Sequence, residues 1–283
     1  MDVLKLNSDK VFCVGDIHGN FDGIIGWIKR YGITDSTIIF CGDIGMGFYK
    51  PEYYKQTLGK INKEFKKRNS YCLFLRGNHD DDTYFNGNLY KKGNCLTLRD
   101  YTIVEVYNKD DESQILPPHK TILCVGGAIS IDRTYRINSN DVKARDYMRW
   151  HGGVSYEEAL MKIPQCYWIN EMPIYDEEKL KEITDSGIKI NYVCTHTSPS
   201  FCEPHTKEGL EEWSELDEAL FEDIDNERKT MDKLYQYLID NDHPLKTWFY
   251  AHYHYHSSQE YDGIKFYLLD MDRYGNFDMV EMI

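Results

Sequence analysis

The chain has 283 residues, 41% of them hydrophobic, with 23 Tyr, 12 Phe and a formal net charge of −14. This length and composition suit one large α/β domain or two smaller ones around a substantial core, and they exclude a disordered chain. The acidic balance argues against binding long nucleic acid through bulk charge, but leaves open a small phosphate-bearing substrate held by local cations.

No stretch approaches the ~18 consecutive apolar residues of a membrane span. The N-terminus, Met1–Asp16, lacks the basic-then-apolar order of a signal peptide. The eight cysteines form no C-x-x-C pair, and Cys13, Cys41, Cys72, Cys124 and Cys194 lie in apolar runs. They read as reduced, buried thiols, and the expected compartment is the cytoplasm.

In chain order, "KVFCVG" (Lys10–Gly15) reads as a strand. "FDGIIGWIKRYG" (Phe21–Gly32) follows as a helix with Phe21, Ile24, Ile25 and Ile28 on one face. "TIIFCG" (Thr37–Gly42) is a second strand. A helix opening at Pro51 places Tyr54, Leu58, Ile61 and Phe65 together, and "YCLFLRG" (Tyr71–Gly77) is a third strand. Such β-α-β-α-β alternation predicts an α/β fold with parallel pairing. "CLTL", "TIVEVY" and "TILCVGGA" read as further strands. Ile129–Pro173 reads as irregular apart from one helix near Ser155–Ile163, and the segment 129–187 reads as an insert that shapes specificity in a single 1–283 domain. A helix near Glu177–Thr184 leads to a strand over Ile188–His196. Leu216–Asp240 is mostly helical, split around Asp225, and "KTWFYAH" and "IKFYLLDMD" are the last strands. The acidic run from Lys207 to Glu227 reads as a solvated face.

Polar residues cluster where strands end: Asp16, His18; Asp43; Asn78, His79, Asp80; His196; and, in "AHYHYH", His252, His254 and His256. Ligands of parallel α/β sheets bind beyond such ends. Carboxylate, imidazole and amide oxygen together suit a pair of divalent cations, Mn, Fe, Zn, Ni or Mg, better than a thiol-loving metal. Each residue also has an ordinary reading: Asp16 as a turn residue, Asn78 as a left-handed turn residue, His79 as a loop histidine.

The ordered set GDIHG, GD, GNHD, TH and AHYH resembles the calcineurin-like metallophosphoesterases. The resemblance covers Val11–Asp80 and Asn191–His254 and leaves most of Asp81–Ile190 unmatched. It implies a layered α-β-β-α sandwich with two mixed sheets and the metal site at the C-terminal ends of the strands. By the same resemblance one metal takes Asp16, His18 and His254, and the other takes Asn78, His196 and His252. Asp43 bridges them, and His79, steadied by Asp80, faces the substrate. His256 matches no family position and is expected outside the ligand set. The expected activity is hydrolysis of a phosphomonoester by in-line attack of a metal-bridging hydroxide, with Mn²⁺ the first choice of metal. The alternative is a phosphodiesterase acting on nucleotides or short or cyclic nucleic acid, and a third reading is a catalytically silent scaffold.

Two departures bear on substrate. Ala251 stands where the family has Gly, and Ile44-Gly45 follows Asp43 where the protein serine/threonine phosphatases of this superfamily carry an Arg that grips phosphate. Arg76, Arg133 and Arg136 are candidate replacements, set against their reading as ordinary surface arginines. Tyr167 and Trp168 are candidates to stack on a base or sugar, or simply to pack.

Overall fold

The computed structural model of the chain describes residues 1–86, 93–111, 113–271 and 276–283. Its strands and helices run in chain order as β1 (Val3–Asn7), β2 (Lys10–Val14), α1 (Phe21–Arg30), β3 (Ser36–Phe40), α2 (Pro51–Lys67) and β4 (Tyr71–Phe74). There follow β5 (Cys95–Thr97), β6 (Thr102–Tyr107), β7 (Lys120–Val125), α3 (Arg133–His151), α4 (Tyr156–Leu160), α5 (Glu177–Asp185) and β8 (Tyr192–Thr195). The chain closes with α6 (Leu210–Ser214), α7 (Leu220–Asp240), β9 (Thr247–Tyr250), β10 (Ser257–Tyr261), β11 (Ile264–Leu268) and β12 (Met279–Glu281). Asp272, the last residue of the "IKFYLLDMD" run, lies outside the described residues.

The strands form two mixed sheets. A five-stranded sheet has the order β12-β2-β3-β4-β5, and a seven-stranded sheet has the order β1-β6-β7-β8-β9-β11-β10. β2, β3, β4 and β5 are parallel, with β12 antiparallel at the edge. β7, β8, β9 and β11 are parallel in the other sheet, whose β6–β7 and β10–β11 pairs are antiparallel. The fold is therefore the layered α-β-β-α arrangement expected. Between the sheets lie Val11, Cys13, Ile39, Leu73, Ile122, Cys194 and Phe249. The apolar stripes of α1 and α2 cover the outer face of the five-stranded sheet through Ile24, Trp27, Leu58, Ile61 and Phe65. Leu180 and Ile183 of α5 and Met231, Leu234 and Leu238 of α7 cover the other.

Val14, Phe40 and Phe74 are level in the parallel register. Strands that end level deliver their following residues to one edge, and this alignment builds the site.

The structure corrects the sequence reading in three places. Arg133–His151, read as irregular, is a 19-residue helix. It was hidden because it has no apolar stripe: only Asn140 and Ala144 are buried. Polar pairs hold it instead, Arg133 to Asp217 and Asp223, while Arg136 pairs with Asp132 at the helix's own N-cap. The helix over Leu220–Asp240 runs unbroken through Asp225, because the acidic face is solvent-exposed and costs the helix little. The N-terminal Val3–Asn7 is a strand that pairs parallel with β6, its polar residues tolerated at a sheet edge. α5 lies within the 129–187 segment yet belongs to the framework core.

Candidate metal centre

The seven candidate ligands converge between the C-terminal edges of the two sheets. Asp16, His18, Asp43 and Asn78 follow β2, β3 and β4 of one sheet; His196, His252 and His254 follow β8 and β9 of the other. On one side His254 Nε2 lies 3.1 Å from Asp16 Oδ2 and 3.1 Å from His18 Nε2, and His18 Nε2 lies 4.0 Å from Asp43 Oδ2. These four side chains offer ligand atoms all within 4.8 Å of one another. On the other side His196 Nε2 lies 3.3 Å from Asp43 Oδ1 and 3.0 Å from Asn78 Oδ1, with the His252 ring centroid 5.1 Å from that of His196. Asp43 thus turns one oxygen toward each group.

The turns that carry these residues are special. His18, Asp43, His252 and His254 all have left-handed backbones, with φ of 43°, 48°, 73° and 58°. Non-glycine residues adopt this region uncommonly. The "AHYHYH" histidines therefore do not line up by strand alternation; a turn aims His252 and His254 inward. His256 is exposed and hydrogen-bonds Asp278 at 2.6 Å. Neighbouring glycines let the elements close up: a Cβ on Gly42 would sit 2.2 Å from the His196 ring, and one on Gly77 would sit 2.1 Å from Asp43 Oδ1. Ala251 is fully buried and packed in the core between the sheets, so the methyl it has and the family's Gly lacks is part of that core.

The charge arrangement asks for cations. Asp16 and Asp43 are fully buried, and the Oδ2 of each lacks a hydrogen-bond partner among the described residues. Buried carboxylates are normally paired or metal-bound. Burial opposes charge on His196, but Asp43 and Asp16 together pull its imidazole up to about 9. Burial works against the charge on Asp43 as well, and His79, His196 and His18 hold it well below the usual carboxylate range. His196 Nδ1 faces the Cys41 carbonyl at 2.7 Å. A carbonyl only accepts, so Nδ1 carries a proton and Nε2 points at the centre. The donor set therefore fits divalent cations, the charge that the site lacks.

His79 packs against the same centre. Its N–H donates to Asp43 Oδ1 at 2.8 Å, and its Nε2 lies 3.8 Å from Asp43 Oδ2. Burial pushes its imidazole down to about 3; the pull of Asp43 is countered by Arg136 and Lys207. Asp80 points the other way, into the turns: its two oxygens accept from the backbone N–H groups of Ile44, Gly45, Met46 and Gly77 at 2.8–3.0 Å. Burial and Asp43 push its carboxyl up to about 6, so at neutral pH it is ionised and clamps the Asp43 and Asn78 loops together. Beneath the site, Cys13, Cys41 and Cys194 are buried as the sequence suggested, with Cys13 Sγ 3.3 Å from Cys194 Sγ.

The three candidate arginines fare differently. Arg76 is buried, its guanidinium bound to Asp100 and to the carbonyls of Asn170, Glu171 and Met172. Arg133 is held by Asp217 and Asp223. Both guanidiniums are committed to tying loops together and do not reach the centre. Arg136 pairs with Asp132 at 2.7 Å, and its charge still acts on His79.

Sequence reasoning missed three residues. Lys207, in the run read as a solvated face, is half-buried with Nζ 3.4 Å from His252 Nδ1; its one signal was a cation heading an acidic stretch after the His196 strand. Ser130 and Glu171, 41 residues apart, gave none. Asn78 Nδ2 donates to Ser130 Oγ at 2.8 Å, and Ser130 Oγ donates to Glu171 Oε2 at 2.6 Å. This chain fixes the Asn78 amide with Oδ1 toward the centre.

Burial pushes the Glu171 carboxyl from 4.5 up to about 8, against the two hydrogen bonds from Ser130. The folded protein therefore holds a proton between these values that the unfolded chain releases, so this group's contribution to stability falls as pH rises from about 4.5 to 8. Glu171→Gln, neutral throughout, lacks that slope. Denaturant titrations at pH 5 and pH 8 should show the variant gaining on the parent as pH rises; parallel pH profiles would contradict a protonated Glu171.

Comparison with known proteins agrees with this geometry. The family model for calcineurin-like phosphoesterase matches residues 9–272. A search of curated proteins returned no match. Among solved structures, phosphopantetheinyl hydrolase from Mycobacterium tuberculosis is similar at 13% identity and TM-score 0.41, covering 96% of this chain and 95% of that one. A putative 5'-nucleotidase from Staphylococcus aureus matches at 13% identity and TM-score 0.42, over 96% of this chain and 52% of its own. A dimetal phosphatase from Danio rerio matches at 10% identity and TM-score 0.43, over 93% and 87%. With the family match spanning nearly its whole length, the chain belongs to the calcineurin-like phosphoesterases, enzymes that hydrolyse phosphate esters with a dinuclear divalent-metal centre.

Proposed function

We propose that this enzyme hydrolyses phosphomonoesters at the centre described above. The observation that carries the reading is the pair of fully buried carboxylates, Asp16 and Asp43, each with an oxygen that accepts no hydrogen bond among the described residues and is faced by converging imidazoles. Asp16, His18 and His254 would hold one cation, and Asn78, His196 and His252 the other, with Asp43 shared. When bound, the two cations supply a nucleophile at neutral pH and electrophilic stabilisation of the phosphoryl oxygens. Mn²⁺ is the first metal to assay, with Fe, Zn, Ni and Mg also suited to these donors. Within a single 1–283 unit, the 129–187 segment reaches Asn78 through Ser130 and Glu171, which supports specificity set by that segment. Seven buried thiols support a reducing, cytoplasmic location; no described helix is long and apolar enough to cross a membrane.

The chain's own residues divide the remaining work. Asp80 holds the two loops in register through its four backbone donors. Burial keeps the His79 ring neutral, and the charges of Arg136 and Lys207 add to that effect against the pull of Asp43. The ring then serves as a hydrogen-bond donor to phosphoryl charge rather than as a proton donor to the leaving oxygen. Lys207, with Nζ 3.4 Å from His252 Nδ1, and Arg136, whose charge acts on His79, add positive charge around the centre. A monoester dianion carries one more negative charge than a diester, which is why this reading is preferred to a phosphodiesterase.

Asp43→Asn should lose both metals on dialysis, read by metal analysis, and about a hundredfold or more in rate. His256→Ala, altering an exposed ring outside the set, should keep both metals; an Asp43→Asn enzyme with full metal content would overturn the assignment. His79→Ala should retain metal and slow about a hundredfold, equally on p-nitrophenyl phosphate and on an alkyl phosphate. A much larger loss on the alkyl ester, whose leaving group needs a proton, would make His79 the general acid instead. The enzyme should prefer p-nitrophenyl phosphate to its bis-ester, and Lys207→Met should erode that preference about tenfold, as expected for one lost charge-assisted contact. An enzyme that favours the bis-ester, or a variant with unchanged preference, would favour the diesterase reading.

A further inference from the structure

A cavity of about 540 Å³ opens between the turn after β3 and the 160–168 segment that precedes α5. Its inner wall belongs to the metal loops. Asp81 directly follows His79 and Asp80, and its N–H donates to the Met46 carbonyl at 2.7 Å. Gly47, four residues past Asp43, forms the wall's other half. Trp168 lies on Gly47: a Cβ there would meet indole Cζ2 at 2.5 Å and Asp81 Cβ at 2.7 Å. Gly47 also has φ 108°, so glycine is required twice over, for the turn and for the indole. Phe48 faces Trp168 with ring centroids 5.7 Å apart at 37°. Both rings are only half-buried, so flat aromatic surface is left available to the cavity. The polar groups on its lining are of both kinds: the Asp81 carboxylate, whose Oδ1 accepts from Thr83, and the Gln165 amide oxygen, whose Nε2 donates to the Leu160 carbonyl, are acceptors, and the Lys50 and Lys162 ammoniums are donors.

We propose that this cavity takes the leaving-group side of the ester and that the group it takes is an aromatic heterocycle, making the substrate a mononucleotide. The proposal rests on the phosphomonoesterase reading for its chemistry, and on the cavity alone for its selectivity. The volume lies in the range of small-ligand sites. Aromatic faces stack on any base, while mixed donors and acceptors read the edge of a heterocycle and have no use for a plain alkyl chain. The chain's net charge of −14 repels a polynucleotide and leaves a single nucleotide, whose phosphate goes to the metal centre and whose base goes to the Trp168 side. Hydrolysis breaks the bond between phosphorus and the ester oxygen; water supplies the new oxygen on phosphate and the proton on the released alcohol, so no further reactant is needed.

The test uses the full chain. Calorimetry with adenosine, which carries no phosphate, should show binding to the parent, weakened about tenfold or more by Trp168→Ala, the loss of one base–aromatic stack. Trp168→Phe should restore most of it. In Mn²⁺, kcat/KM for adenosine 5'-monophosphate should fall by a similar factor in Trp168→Ala, while that for glycerol 2-phosphate changes less than threefold. Phe48→Ala provides the same contrast should Trp168→Ala fail to fold. Absent adenosine binding, or equal losses on both phosphates, would overturn the proposal and leave the phosphomonoesterase reading standing. Trp168-dependent adenosine binding in a protein that hydrolyses neither phosphate would support the pocket and defeat that reading.

Discussion

Two carboxylates with no solvent and, among the described residues, no arginine or lysine salt bridge set the terms for this structure. Asp16 and Asp43 sit fully buried at the seam between two sheets, where an isolated anion is costly by many kcal/mol. The chain does not neutralise them with a guanidinium. It surrounds them with imidazoles, which are weak bases that take a proton or give it up to a metal. His196, drawn up to about 9 by the two anions, marks where positive charge is most wanted. A permanent cation there would stabilise the metal-free fold and block the site; a titratable one leaves it exchangeable. Function and stability are therefore in tension at this seam, and the level strand ends of both sheets exist to hold the tension in place.

The backbone shows the same tension. Four of the seven candidate ligands are left-handed non-glycine residues, each costing of order 1–3 kcal/mol. Backbone bonds and the Asp80 clamp hold them: His18 N–H donates to the Asp43 carbonyl at 2.8 Å, and Ala251 N–H to the His196 carbonyl at 3.0 Å. The five-stranded sheet thus supplies one strained turn bonded to another, and in the seven-stranded sheet the residue before the strained His252–His254 turn is bonded to His196. Neither turn would hold its geometry as an isolated hairpin. The packed layers of helix outside each sheet provide the rigidity that the turns borrow.

How much of this was legible in the sequence follows from the kind of signal each part leaves. The strand-end ligands could be read because glycine and a polar residue interrupt an apolar run, and that pattern is local. The two helices α1 and α2 could be read from their stripes. The 19-residue α3 could not, because polar pairs rather than an apolar face hold it to the protein, and such pairs join residues far apart, as Arg133 does with Asp217. Ser130 and Glu171 escaped for the same reason, since a contact across 41 residues leaves no periodicity. Lys207 was misread because its neighbours are acidic and composition describes neighbourhoods, not side-chain direction. Arg76 was chosen for its place beside Gly77 and Asn78; its side chain turns away to the 170–172 carbonyls.

That turning away explains how the scaffold can carry different specificities. Arg76 begins at the metal loop and ends on the backbone of the segment that bears Trp168, while Glu171 in that segment reaches back through Ser130 to Asn78. The segment is therefore fastened to the centre at two points, through Arg76 and through Asn78 itself, without contributing a ligand. Between those fastenings and α3 the chain is held by polar contacts, Arg136 and Asn140 to Cys166 and Tyr167, and α3 presents no apolar face to the core. Changes there alter what lies over the cavity and leave Asp16, Asp43 and their imidazoles where the sheets put them. Chemistry is fixed by strand ends that cannot shift independently; on the reading proposed above, selectivity falls to a polar segment that can.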